Sequence, residues 1–330
     1  MNVTWQAAGT RLAWPRMAVA IAALAVVHPA IAAAQDFDRE VAFLTIPTGA
    51  RPVGMGRAAA ALGGDLQSVR WNPAVLSTIS DFVPLVSSYD GPLDFGVNQF
   101  AAAFPVSRLG VLAVSVEVQS FGDIPLTGSG SPDAEAGAIS PTNLILGVGF
   151  GRSLVQRLSF GISAKWIHSE LFGSLQGSTF ALDAGLFWTP LRQVPFHLGV
   201  SALNLGPGLR LDDQPGAQSA PLPGRIRLAA AYDVLGHLAP GEELHFLVAI
   251  DLEHAVRDPG TGSQYLGVEL GIREILFVRG GFVAETLIET NTGVTLGLGL
   301  GLGLFRFDLA RELGVNQLGD ETQLSLSARL

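Results

Sequence analysis

Hydrophobic and polar positions alternate with a period of two along most of the chain after residue 79. Leu112, Val114, Val116 and Val118 alternate with Ala113, Ser115, Glu117 and Gln119. Leu158, Phe160, Ile162, Ala164 and Trp166 alternate with Ser159, Gly161, Ser163 and Lys165. Leu244, Phe246, Val248, Ile250 and Leu252 oppose His245, Asp251 and Glu253, and Leu324, Leu326, Ala328 and Leu330 oppose Gln323, Ser325, Ser327 and Arg329. Strand side chains point to opposite faces in turn, so each run predicts a strand with one apolar face. The extreme case is Val294–Phe305, VTLGLGLGLGLF. Val294, Leu296, Leu298, Leu300, Leu302 and Leu304 share one face. Gly297, Gly299, Gly301 and Gly303 share the other, with Thr295. In water such a strand would aggregate. The spacing predicts that the leucines meet a large apolar phase and that something packs close against the glycine wall.

About fourteen such segments are legible, an even number, as bacterial outer-membrane barrels have. The connections sort by parity. After odd strands fall the longest loops, 122–142 and 204–223, both rich in Gly, Pro, Ser and Asp. After even strands fall mostly tight turns, at Pro105–Ser107, Gly151–Val155, Pro190–Val194 and Arg273–Glu274. A soluble β-sandwich has no reason to sort its loops in this way. The pattern predicts an all-β fold, a transmembrane antiparallel barrel over residues 79–330. Trp166 and Trp188, near strand ends, suit aromatic girdles at the lipid interfaces.

The first 78 residues lack this period. Residues 1–34 read as a signal peptide: Arg11 and Arg16 precede the apolar run Met17–Val27, and Ala32-Ala33-Ala34 forms an A-x-A cleavage site. Residues 35–78 read as a short helical and irregular hatch. Ile46–Pro52 is turn-rich, Met55–Leu62 has helical propensity, and Gly63-Gly64 would end that helix. Asn72-Pro73 excludes helix at Asn72.

Composition narrows the chemistry. Of 330 residues, 48% are hydrophobic and only 15% charged, and the mean hydropathy is +0.38, high for an exported soluble protein. The net charge of −9 and the lack of a basic cluster argue against nucleic acid. With no cysteine, disulfides and thiol chemistry are excluded. Gly54-Met55-Gly56-Arg57-Ala58-Ala59 has the outline of a dinucleotide fingerprint, but no strand precedes it and no βαβ unit follows. The histidines show no metal-ligand spacing, and His245, Asp251 and Glu253 read as a polar lumen wall. No G-x-S-x-G elbow or other catalytic constellation is visible, so neither an enzyme nor a cofactor is expected.

Three sets of residues carry a resemblance. Phe43–Arg51 (FLTIPTGAR), Gly54-Met55-Gly56 and Trp71-Asn72-Pro73-Ala74 resemble the N-terminal signature of the PorV/PorQ family of outer-membrane proteins. Ala202–Gly208, Pro221-Leu222-Pro223 and Arg227–Tyr232 are similar to that family's mid-barrel strand, loop and strand, and Leu313–Leu330 to its last hairpin. The chain departs from outer-membrane habit by ending in Leu330 rather than an aromatic. The resemblance implies a FadL-like barrel of fourteen strands with the N-terminal segment in the lumen. Pro47, Gly49, Ala50, Gly54, Met55, Gly56, Trp71, Asn72 and Pro73 would form the hatch motif. It also implies a non-enzymatic role in type IX secretion, with secreted cargo proteins and surface-attachment machinery as partners in outer-membrane lipid. The Asn-Pro-Ala element is shared with FadL-type long-chain fatty-acid transporters. The alternative is therefore a channel for hydrophobic compounds, gated by residues 43–76, with Pro84 as a candidate strand kink.

Overall fold

The computed structural model describes residues 39–127, 135–172, 175–211, 219–239, 243–257, 262–285, 291–315 and 319–330. The expected signal peptide lies outside them. The described residues form sixteen strands: β1 (Val83–Asp90), β2 (Gly96–Val106), β3 (Gly110–Ser120), β4 (Ile124–Thr127), β5 (Glu135–Ile139), β6 (Thr142–Val155), β7 (Leu158–Phe172), β8 (Leu175–Trp188), β9 (Phe196–Leu205), β10 (Arg225–Asp233), β11 (Leu244–Ala255), β12 (Gly262–Ile272), β13 (Leu276–Glu285), β14 (Asn291–Leu302), β15 (Phe305–Leu313) and β16 (Glu321–Ala328). Fourteen of them close into one barrel. Each pairs antiparallel with its neighbours, and β1 meets β16 from Leu85↔Ser327 to Asp90↔Thr322. Closure leaves no open edge, so every ladder hydrogen bond is internal, as a bilayer requires. β4 and β5 form a separate hairpin within the long connection after β3.

The two faces of the wall invert the habit of a soluble protein. Leu296, Leu298 and Leu300 stand outside, 55%, 52% and 41% exposed, while Arg227, Glu253 and Glu269 inside are fully buried. Apolar surface on this scale is stable against hydrocarbon and not against water. The parity of the connections holds. The 121–141 and 206–224 loops lie on one rim, and the other carries short turns such as Ser107–Leu109, Gln156–Arg157 and Gly303–Leu304.

Some local expectations are corrected. The turn expected at Gly151–Val155 falls at Gln156–Arg157. Gly151 stays in strand because its bare inner face seats Leu76, whose Cβ lies 2.6 Å from where a Gly151 Cβ would stand. Gly303 is not on the strand wall but in the β14–β15 turn, at φ 61°. Pro84 makes no break: it pairs in register with Ala102. Register shifts lie instead in the β6–β7 and β7–β8 pairs, near strand ends, and between β8 and β9, where Leu182↔Leu205 gives way to Ala184↔Ala202. At the β8–β9 shift Asn204 takes φ 56° and its N–H donates to Asp183 Oδ1 at 2.8 Å. Asn tolerates this left-handed conformation better than most residues.

Candidate functional site

The lumen is filled by the N-terminal segment, held by short elements rather than one helix. Ala50–Gly54 makes a single helical turn, entered through Gly49 at φ 99°. Met55–Leu62, expected to be helical, is irregular. Gly56 and Arg57 both take positive φ, 60° and 64°, because the wall claims their backbone. Gly56 N–H donates to Thr295 Oγ1 (3.0 Å), and the N–H groups of Ala59 and Ala60 converge on Asp251 Oδ2 (3.0 and 2.9 Å). Tertiary bonds override propensity here. Two 3-10 turns follow. Leu66–Arg70 is capped by Asp65, which accepts from Gln67 N. Pro73–Thr78 is capped by Asn72, which accepts from Ala74 N at 3.0 Å.

Buried charge pairs bind this segment to the wall. Arg51 forks onto Glu269 (Nε 3.0 Å, Nη2 2.7 Å) and reaches Asp65 at 3.3 Å. Arg57 forks onto Glu312 (2.9 and 3.0 Å) and also contacts Glu285 at 2.9 Å. Arg70 meets Glu117 at 2.5 Å. Burial works against the charges of Arg51 and Arg57. Glu269 and Asp65 outweigh it for the first, Glu312 and Glu285 for the second, so both pKa values lie above the ordinary arginine range. From the wall, Arg227 lies between the rings of Trp71 and Tyr265 (4.6 and 4.5 Å), donates to Arg57 O at 2.8 Å, and pairs with Asp251 and Glu253. Cations stacked on two aromatic faces and doubly paired are held firmly.

Wall glycines make the room. A Cβ on Gly161 would lie 2.2 Å from Pro73 C, on Gly185 2.0 Å from Asn72 Oδ1, and on Gly199 2.3 Å from Ala60 O. One on Gly267 would lie 2.2 Å from Met55 O, and on Gly281 2.1 Å from Gly56 N. These glycines, on five strands, form a seat for the backbone of the segment.

Each sequence-singled residue has a definite place. Pro47 O accepts from Gln323 Nε2 (2.8 Å), and Ala50 N–H donates to Ser325 Oγ (3.0 Å). Gly54 lies on Gly297, where a Cβ would meet Gly297 Cα at 3.0 Å. Met55 is fully buried. Trp71 O accepts from Ser201 Oγ (2.8 Å), and Asn72 Nδ2 donates to Ala60 O (2.8 Å) and Leu186 O (3.0 Å). Of the four glycines expected on the β14 inner wall, Gly297 alone has the segment among its nearest neighbours. Gly299 faces Asp308 and Arg279, Gly301 faces Glu274 O, and Gly303 has open space. Asp251 fits its reading as part of a polar lumen wall, whereas Arg51, Arg57, Arg70, Glu269 and Glu312 are not marked by the sequence as site residues. The wall acids among them do sit at the polar phase of their strands, the one signal that pointed inward.

Above this seat, at the long-loop end, Phe43 and Leu44 of the segment pack with Ile145 and Ile167 of the wall and with Leu209 and Leu222 of the 206–224 loop. Below it, a cavity of about 650 Å³ lies between Leu62-Gly63-Gly64 and the short-turn rim, lined among others by Phe187, His197, His245 and Phe277. Among the described residues no cluster of three or more His, Asp or Glu side chains could hold a metal ion.

No protein-family model matches the chain, and no curated protein matches it, so these comparisons lend the PorV/PorQ resemblance no support. Solved structures do match. The Pseudomonas putida toluene transporter TodX aligns at 12% identity with a TM-score of 0.58, over 86% of this chain and 98% of that one. A FadL homologue from Pseudomonas aeruginosa aligns at 12% identity and a TM-score of 0.55, over 86% and 98%. CymD, a monoaromatic hydrocarbon channel, aligns at 12% identity and 0.56, over 88% and 98%. At such identities the likeness concerns architecture alone: the chain shares its fold, here a closed fourteen-strand antiparallel barrel, with these solved structures.

Proposed function

We propose that the protein is an outer-membrane channel for hydrophobic compounds, with the lumen segment as its gate. One observation carries this reading. The obstruction in the lumen is a separate stretch of chain, seated non-covalently on wall glycines, with an apolar cluster on one side and a cavity on the other. A hydrophobic molecule would enter among Phe43, Leu44, Leu209 and Leu222. Its passage requires the segment to shift towards the cavity, about Gly63-Gly64. Gly64 suits a hinge, since its φ is 73° and a Cβ there would meet nothing within 4 Å. The solved structures of this fold include a toluene transporter and a monoaromatic hydrocarbon channel, which favours this substrate class. The type IX shuttle rests on motif resemblance alone, and no comparison supports it. Catalysis has no constellation to carry it.

The test is uptake of radiolabelled toluene by vesicles containing the purified protein. Uptake above that of empty vesicles, raised further by deletion of residues 43–64, is expected. Uptake equal to that of empty vesicles in both cases would remove the channel reading. Recovery of exported cargo on the protein pulled from outer membranes in mild detergent would favour the shuttle instead.

A further inference from the structure

The short-turn rim is chemically uneven. The barrel order β9-β8-β7-β6-β3-β2 places three turns side by side: Ser107–Leu109, Gln156–Arg157 and Thr189–Pro195. With the strand ends that flank them they carry Arg108, Arg152, Arg157 and Arg192, and no Asp or Glu within 105–110, 151–158 or 188–196. Beyond the third turn the rim mixes signs: Asp233, whose N–H donates to Pro195 O (3.0 Å), borders it and turns its carboxylate onto Gly236 N and Phe246 N, and Glu243 and Glu274 lie with Arg273, which pairs with Glu243.

On the basic side each turn also shows a large aliphatic side chain to the outside: Leu109 at 59%, Val155 at 63% and Leu191 at 46% exposure. Trp188 stands outward at the same level. The neutral groups that touch the arginines leave their charge uncompensated: Arg157 donates to Pro190 O (3.0 Å) and Arg192 to Gln156 Oε1 (3.1 Å). Arg108 and Arg157 take positive φ, 65° and 78°, where Gly or Asn would sit with less strain. The turns are therefore not built for backbone ease.

We infer that this sector binds the headgroups of anionic phospholipids in the leaflet at the short-turn rim. An aliphatic side chain beside a guanidinium at the lower margin of an apolar wall matches an acyl chain beside a phosphate. The planar guanidinium takes two phosphate oxygens at once, and Trp188 lies at the depth that aromatic residues occupy in a bilayer interface. Four arginines in turns that carry no acid, with the bordering Asp233 carboxylate taken up by Gly236 N and Phe246 N, supply the charge complementarity. The inference rests on the barrel spanning a bilayer, and not on what it transports.

The test reconstitutes the full chain in phosphatidylcholine vesicles doped with brominated phosphatidylglycerol or brominated phosphatidylcholine, whose bromines quench adjacent tryptophan. In a background that carries Trp5→Phe and Trp14→Phe, and with Trp71 buried in the lumen away from lipid, Trp166→Phe leaves Trp188 as the lipid-facing reporter at the short-turn rim, and Trp188→Phe leaves Trp166 nearer the other. A basic residue near an anionic surface strengthens association by up to roughly fivefold. About a threefold or greater preference for phosphatidylglycerol is therefore expected at Trp188, and none at Trp166. Combined Arg108→Gln, Arg152→Gln and Arg192→Gln should remove the preference, and inorganic phosphate should not. Equal quenching by both lipids at Trp188, a preference that survives the triple substitution, or one abolished by inorganic phosphate would overturn the lipid site. Absence of quenching by either lipid at both tryptophans would overturn the membrane-spanning reading with it.

Discussion

Glycine does two different jobs in this wall, and only position in space separates them. Gly161, Gly185, Gly199, Gly267 and Gly281 leave no room for a Cβ because the lumen segment occupies it. Gly280, on the same β13 strand, has its nearest neighbour at 3.9 Å. Gly281→Val should therefore displace Gly56 and expose the segment to added protease, while Gly280→Ala should change stability by no more than about 0.5 kcal/mol. Equal protease resistance in the two variants would mean that the seat is not tight. Asn72 makes the case for polar side chains. It caps the Pro73–Thr78 turn and bridges two carbonyls. Asn72→Ala leaves buried groups unpaired and should cost about 1–3 kcal/mol, read as a lower urea midpoint in detergent. The bare glycine face of β14 was legible in the sequence. Which glycines meet the segment was not, because Gly199 and Ala60, or Gly281 and Gly56, are joined only by the closed fold.

At the scale of elements, the lumen segment divides into two anchored parts joined at Gly63-Gly64. The first, from Pro47 to Ala60, is bonded to β11 and to β14–β16 and adjoining strands through Asp251, Thr295, Glu312, Ser325 and Gln323. The second, from Leu66 to Thr78, rests on β6, β7 and β8. Breaking a buried ion pair by removing one partner costs far more than replacing the whole set. Arg57→Met leaves Glu285 and Glu312 without their shared cation, and should cost about 3–5 kcal/mol and free the first part. Adding Glu285→Gln and Glu312→Gln should restore more than half of the lost thermal stability. If Arg57→Met alone leaves the melting temperature unchanged, the pairing does not hold the segment. Strand period and loop parity could be read from the chain alone, since both are local. The path of Met55–Leu62 could not, because helical propensity worth tenths of a kcal/mol per residue competes there with bonds from Asp251 and Thr295.

At the scale of the whole molecule, buried charge inside and exposed leucine outside require a nonpolar surround. The protein should sediment with outer membranes and stay there through a high-salt wash. Recovery in the soluble periplasmic fraction would contradict the fold's assigned setting. The Trp71-Asn72-Pro73 and Gly54-Met55-Gly56 motifs marked the lumen segment in the sequence, but motif and fold alone do not state cargo or ligand. The proposed channel is argued from the lumen: an apolar cluster at one end, a cavity at the other, and a non-covalently seated segment between them. The chain has no cysteine, so Ala50→Cys with Ser325→Cys introduces a single thiol pair across a contact where Ala50 N–H reaches Ser325 Oγ at 3.0 Å. Toluene uptake by vesicles carrying this variant, measured before and after oxidation, is the most direct measurement. Uptake above that of empty vesicles when reduced, and its loss on oxidation with recovery by reductant, is the predicted result. Uptake that is unchanged by locking the segment, or that never exceeds that of empty vesicles, would contradict a hydrophobic channel gated from within.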